Sequence, residues 1–308
     1  MKPRQHGLLM IISGAALWGI SGPMIQWLFQ HTELSSLEFL VVRLLAAGII
    51  ILGALVLAKK DIFGIWRHPR YWLQLIIFGT LGMLGAQYAF IEAVYISNAV
   101  TATLFQFLGP VLITIYVAAQ LRKLPSIMQL LAIFGALIGV FFLVTNGSME
   151  NVVLSRAAII MGLLTAIGFA FYTLQPKALI TDWGTLVIIG WGMLIGGIVL
   201  YLFSPQFSFR KFGEALTVST TVMLILIIIV GTLSFLLYIG SLKYLSATES
   251  SLLSSIEPLV AAIVSIIWLK ESFGAFQLMG GLFIVAAVVL LSLPEKQVKE
   301  GVAMERAS

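Results

Sequence analysis

The chain has 308 residues, 60% of them hydrophobic and only 10% charged, and a formal net charge of +5 at pH 7. About a quarter of a soluble domain is charged, whereas here the apolar residues gather into runs of roughly 20, the length that crosses a bilayer as a helix. The composition therefore excludes an ordinary soluble domain and predicts an all-α integral membrane protein, with the lipid bilayer as its solvent.

The basic excess implies no nucleic-acid partner, because Lys and Arg sit mostly at the ends of the apolar runs, where membrane proteins mark their cytoplasmic side. The absence of cysteine removes disulfide scaffolds and thiolate metal sites. His6, His31 and His68 all fall in expected loops or tails. No metal site and no cofactor are expected.

A short basic tail, residues 1–6, precedes a first span at about 7–29. Its small residues at 13–16 are followed by more apolar sequence rather than a polar mature region, so it reads as a retained helix and not a signal peptide. The second span, about 37–58, contains Arg43, and a basic loop at 59–70 leads to the third, about 71–94, with Glu92. The fourth and fifth are expected at about 99–121 and 126–145. Residues 1–146 thus form a first five-helix unit, and 147–156 a turn-rich connector. Spans six to ten are expected at about 157–179, 185–203, 218–242, 248–269 and 273–293, making 157–293 a second unit. Residues 294–308 form a polar tail too hydrophilic to bury.

With ten spans and a cytoplasmic N-terminus, thirteen Lys and Arg residues lie inside, among them Lys59, Lys60, Arg122, Lys123, Lys177 and Lys243. Only four, Arg156, Arg210, Lys211 and Lys270, lie outside. This bias predicts a multi-pass protein of the cell membrane with both termini cytoplasmic.

Residues 98–110 and 247–258 echo each other. Each stretch starts with small polar residues, turns apolar, and carries a polar side chain, Gln106 or Ser254, four positions before a proline, Pro110 or Pro258. Gln129 and Gln277 correspond further on, and Pro23 and Pro176 take similar places in spans one and six. Five spans per unit is an odd number, so the second unit enters the membrane from the opposite side. That is an inverted repeat, an arrangement found in many secondary transporters. Proline removes a helix hydrogen bond and kinks the helix, and in lipid this is tolerated where protein or a water-filled cavity satisfies the freed groups. Spans one, four, six and nine are thereby candidates to line a central cavity.

Ionisable groups inside a bilayer are costly and face a cavity or a partner. Arg43, Glu92 and Glu257 are the three that stand out, with Arg43 also able to form a structural ion pair with a glutamate. Glu257 shares a helical face with Ser254 and Ser250, and Glu92 one with Tyr88 and Gly85. Trp18, Gly22 and Gln26 fall on one stripe of span one, Thr103, Gln106 and Pro110 on one of span four, and Tyr172 with Gln175 on one of span six. Tyr238 of span eight joins this set. Such a mixture of aromatic and neutral polar groups suits a small amphipathic molecule, although any one of them also serves ordinary packing between helices. Gly135 with Gly139, Gly192 with Gly196, and Gly280 with Gly281 allow close helix approach, and spans five and ten could support either a scaffold or a homodimer contact.

Several motifs together resemble the drug/metabolite transporter superfamily, and within it the EamA-type transporters. They are Leu17, Trp18 and Gly19 in span one; Arg43 followed by Leu44, Leu45, Ala46 and Ala47; and the small-residue approach to Pro110. In the second unit they are Glu257 and Pro258, then Leu269, Lys270 and Glu271, with Gln277 and Gly280 beyond. The resemblance covers about residues 7–293, with one departure: Arg122, Lys123, Leu124 and Pro125 stand where the family usually has a glutamate. It implies transport of a small metabolite through a central cavity by alternating access.

On these residues the expected function is a secondary transporter for an amino acid, an amine or a related compound, with export favoured. No GxxxxGK[ST] stretch occurs, so energy would come from a proton or substrate gradient, with Glu257 or Glu92 as candidate proton carriers. A membrane-embedded enzyme acting on lipid or isoprenoid phosphate would need clustered Asp, His or Lys. A passive channel would need a filter loop or a ring of charge. Neither pattern is apparent in the sequence.

Overall fold

The computed structural model describes residues 3–122, 125–145, 147, 155–270, 275, 276, 278–280, 282, 283 and 286. Most of the tenth expected span, Lys123, Glu271, Gln277, Gly281 and the 294–308 tail lie outside the described residues, and so does most of the connector.

All regular structure among the described residues is helical: α1 (Pro3–Gln30), α2 (Ser36–Leu57), α3 (Pro69–Ile77), α4 (Gly85–Ile96), α5 (Ala99–Gln106), α6 (Leu108–Leu121) and α7 (Ile127–Thr145). The second series is α8 (Arg156–Leu174), α9 (Lys177–Trp183), α10 (Thr185–Leu202), α11 (Phe209–Glu214), α12 (Val218–Ser241), α13 (Ala247–Leu253) and α14 (Ile256–Trp268). Local chemistry sets several starts. Ser35 and Glu38 form a capping box at α2, Thr217 and Thr220 one at α12, and Ser246 and Glu249 one at α13; each satisfies backbone N–H groups that a helix start leaves open. The Ser126 hydroxyl likewise accepts from the Gln129 N–H at 3.2 Å at the start of α7.

Three expected spans are each two helices, α5 with α6, α8 with α9, and α13 with α14, and each break lies at or just before a proline. Pro258 has no N–H to offer the Ser254 carbonyl, which accepts instead from the Glu257 N–H at 2.9 Å. In contrast, α1 runs through Pro23 without a break. The third span is continuous but not uniform: a π-helical stretch, Phe78–Leu84, joins α3 to α4. Such stretches occur often at functional sites.

Seven helices among the described residues are long and apolar enough to cross a membrane. The closest packing sets α2 against α10, α1 against α12 and α14, and α4 against α8. Phe39, Phe78, Phe169 and Tyr238 are among the largest fully buried side chains. Ile49, Ile50, Leu57 and Ile229 instead face outward with more than half of their surface exposed. Such a surface is a liability in water and suits contact with lipid.

Candidate functional site

The two helix breaks that follow from Pro110 and Pro258 bring their polar residues together. Gln106 closes α5, and Glu257 lies in the first turn of α14, where the positive end of the helix dipole favours a carboxylate. Nε2 of Gln106 donates to Oε2 of Glu257 at 3.2 Å, across 151 positions of sequence. Both side chains are buried, Glu257 with 2% of its surface exposed.

Around this pair lies a small chamber with an open volume of about 30 Å³. Trp18, Ser21 and Ile25 of α1, Arg43 of α2, and Ala86, Gln87 and Phe90 of α4 line it. Tyr172 of α8 and Phe235 of α12 complete the wall with Gln106 and Glu257. Among the described residues Arg43 has no ion-pair partner; its guanidinium lies 5.9 Å from the centroid of the Phe39 ring. The space holds about one or two waters, so a metabolite needs the chamber to widen.

An aromatic layer closes one side. Trp18 packs edge-on against Phe235 at 4.9 Å and tilted against Tyr238 at 5.0 Å, while Phe169 meets Tyr172 at 5.3 Å and Tyr238 at 5.5 Å. The Thr173 hydroxyl donates to the Phe169 carbonyl at 2.7 Å, so at 2.9 Å it accepts the proton of the Tyr238 hydroxyl. Beyond this layer a second cavity of about 820 Å³ opens between α6, α8 and the α12–α13 junction. Tyr116, Gln120, Thr173, Gln175, Lys177 and Thr248 are among its lining residues. Tyr172 lines the chamber and its neighbour Thr173 lines this vestibule, and Tyr238 touches both, its ring against Tyr172 at 5.9 Å and its hydroxyl on Thr173.

Of the residues singled out in the sequence, Trp18, Arg43, Gln106, Tyr172 and Glu257 meet at the chamber, and Tyr238 stands in its aromatic wall. The others lie elsewhere. Oε1 of Gln26 accepts from the Ala99 N–H at 3.2 Å, at the start of α5. Thr103 bonds to the Ala99 carbonyl at 2.8 Å, and Ser254 to the Ser251 carbonyl at 2.7 Å, so each spends its hydroxyl on its own helix. Glu92 accepts a hydrogen bond from the Ser36 hydroxyl, with the half-buried Tyr88 one turn before it, and neither lines the chamber. Gln175 donates to the Gln74 carbonyl at 3.0 Å and borders the vestibule. Ser21, Gln87, Phe90 and Phe235 also line the chamber and are not among the residues that the sequence patterns single out. An amide in the middle of an apolar span was a usable signal for Gln87; the two phenylalanines carry none among so many apolar neighbours.

Comparison with known proteins places this geometry. A solved crystal structure superposes with a TM-score of 0.74 over 94% of this chain and 97% of its own, at 15% identity, a likeness of fold alone. An inner membrane transporter of Salmonella typhimurium, YicL, described as uncharacterized, is 35% identical over 300 residues, 96% of this chain and 98% of its own. The uncharacterized transporter YxxF of Bacillus subtilis is 24% identical across 99% of this chain and 94% of its own. The profile of the EamA-like transporter family matches twice, over residues 5–145 and 156–293. With two such matches and its apolar helices, this multi-pass membrane protein belongs to the EamA-like transporter family.

Proposed function

We propose that the chain is a secondary transporter that moves an amino acid, an amine or a related small metabolite across the cell membrane, with export favoured, by alternating access. The observation that carries this reading is the chamber holding Glu257, Gln106 and Arg43, whose aromatic wall reaches through Tyr238 and Thr173 to a vestibule large enough for a metabolite. Pockets of about 300–1,000 Å³ take small ligands; the vestibule falls in this range and the chamber far below it. A substrate in the vestibule reaches Glu257 when the rings of Trp18, Tyr172 and Tyr238 part and the chamber widens. Glu257 then offers its carboxyl group to a proton or to a cationic group of the substrate, and Gln106 holds that carboxyl group in place.

The membrane arrangement belongs to the same proposal: ten spans, as two inverted five-helix units at 1–146 and 157–293, with both termini cytoplasmic. Two contacts support it. Arg4 pairs with Glu249 at 3.4 Å, which sets the chain start beside the start of α13, and Tyr71 donates to Asp182 at 2.8 Å, which sets the start of α3 beside the end of α9; the proposed topology has the members of each pair on the same side.

Reconstitution in vesicles tests the function. Labelled substrate accumulates transiently against its gradient in counterflow if the protein is a carrier, and equilibrates without overshoot if it is a channel. Single cysteines test the topology: one at Gln206 should label from outside the cell and one at Lys243 only from inside. The reverse pattern sinks the proposed topology.

A further inference from the structure

Two chamber side chains have no function in the reading above. Gln87 is 4% exposed, and neither its amide oxygen nor its amide nitrogen has a hydrogen-bond partner. Arg43 is 5% exposed, and among the described residues it has neither a carboxylate within ion-pair distance nor a hydrogen-bond acceptor. Both line the chamber. Burying an amide without partners and a guanidinium without an anion each disfavour the folded chain.

The surrounding helices also leave room for the guanidinium. A Cβ on Gly231 of α12 would lie 2.6 Å from Nη2 of Arg43, so the absence of a side chain at that position allows the arginine its place. The Phe39 ring offers the cation its π-face, which leaves the hydrogen-bond donors of the guanidinium unused.

We propose that Arg43 and Gln87 form a carboxylate subsite, so that the chamber accepts metabolites bearing a carboxylate and rejects the corresponding amines that lack one. This rests on the chamber being the substrate site. A guanidinium presents a planar fork of donors that matches the two oxygens of a carboxylate, and the amide nitrogen of Gln87 supplies another donor to the same group. Glu257 lines the same space, so a ligand with an ammonium group beside its carboxylate finds a partner for each charge.

The test uses the purified full-length protein and a panel of the twenty common L-amino acids, each with its methyl ester and its decarboxylated amine. Binding is read by thermal shift and calorimetry. At least one free acid should bind while its ester and amine do not. Gln87→Met keeps the side-chain length and removes an unpartnered amide, so its Tm should hold or rise while affinity for that acid falls about tenfold. Arg43→Gln should cost about 100-fold or more; should that variant fail to fold, the ester series and Gln87→Met decide. An ester or amine that binds as well as the acid overturns the subsite. So does unchanged affinity in Gln87→Met, or a panel in which no acid binds. Counterflow in parallel separates the two proposals: acid binding without counterflow sinks the transport reading alone, and counterflow of an amine with no acid bound sinks the subsite alone.

Discussion

The two proline breaks have related sequences and unlike contents. In the first, Gly109 precedes Pro110, and a Cβ there would lie 2.6 Å from Cδ1 of Phe169, so the site has no room for a side chain. Its polar contribution comes one turn earlier, from Gln106. In the second, Glu257 holds the place matching Gly109, while Ser254, which matches Gln106, spends its hydroxyl on the Ser251 carbonyl. Each break thus supplies one polar group from a different position, and the two meet at 3.2 Å. Matching side chains would have made two half-sites. Divergent ones make a single composite site with one carboxyl group.

Substitutions can break this asymmetry. The largest expected effect is Glu257→Gln, which should lower counterflow on the order of 100-fold and remove its dependence on pH; an unchanged pH profile would withdraw the role given to this glutamate. Gly109→Ala should destabilise the protein by about 1–3 kcal/mol, because the Phe169 ring must move; the Tm in detergent reads this. Gln106→Leu removes the donor that holds the Glu257 carboxyl group and should cost a similar or smaller amount, about 1–2 kcal/mol. At the matching position of the other break, Ser254→Ala should change stability by only about 0.5 kcal/mol. Equal costs for these last two variants would show that the breaks contribute alike, against the composite site.

The spacing of prolines and polar residues made Gln106, Glu257 and Tyr172 legible in advance, because a broken membrane helix needs polar surroundings and those residues lie close to the breaks; Trp18 was legible from its stripe on a span that stays unbroken. Gln87 was not legible in the same way. Counting back from Glu92 at helical spacing selects Tyr88 and Gly85, whereas the chamber is lined by the neighbouring stripe of Ala86, Gln87 and Phe90. The reason is physical. A membrane helix is apolar toward lipid and toward its neighbours alike, so apolar periodicity does not reveal which face turns inward. Nor does composition announce the π-helical stretch Phe78–Leu84 that precedes α4.

Sequence alone determined that this chain is a bundle of membrane helices, where most of them begin and end, and that three of the four paired prolines mark a break, because span length, capping residues and proline act locally. Only the tertiary structure decided that Gln106 pairs with Glu257, that Gly231 makes room for Arg43, and that aromatic rings from three helices meet beside the chamber. Those are matters of which faces meet, and among helices apolar on every side the meeting is set by shape in three dimensions.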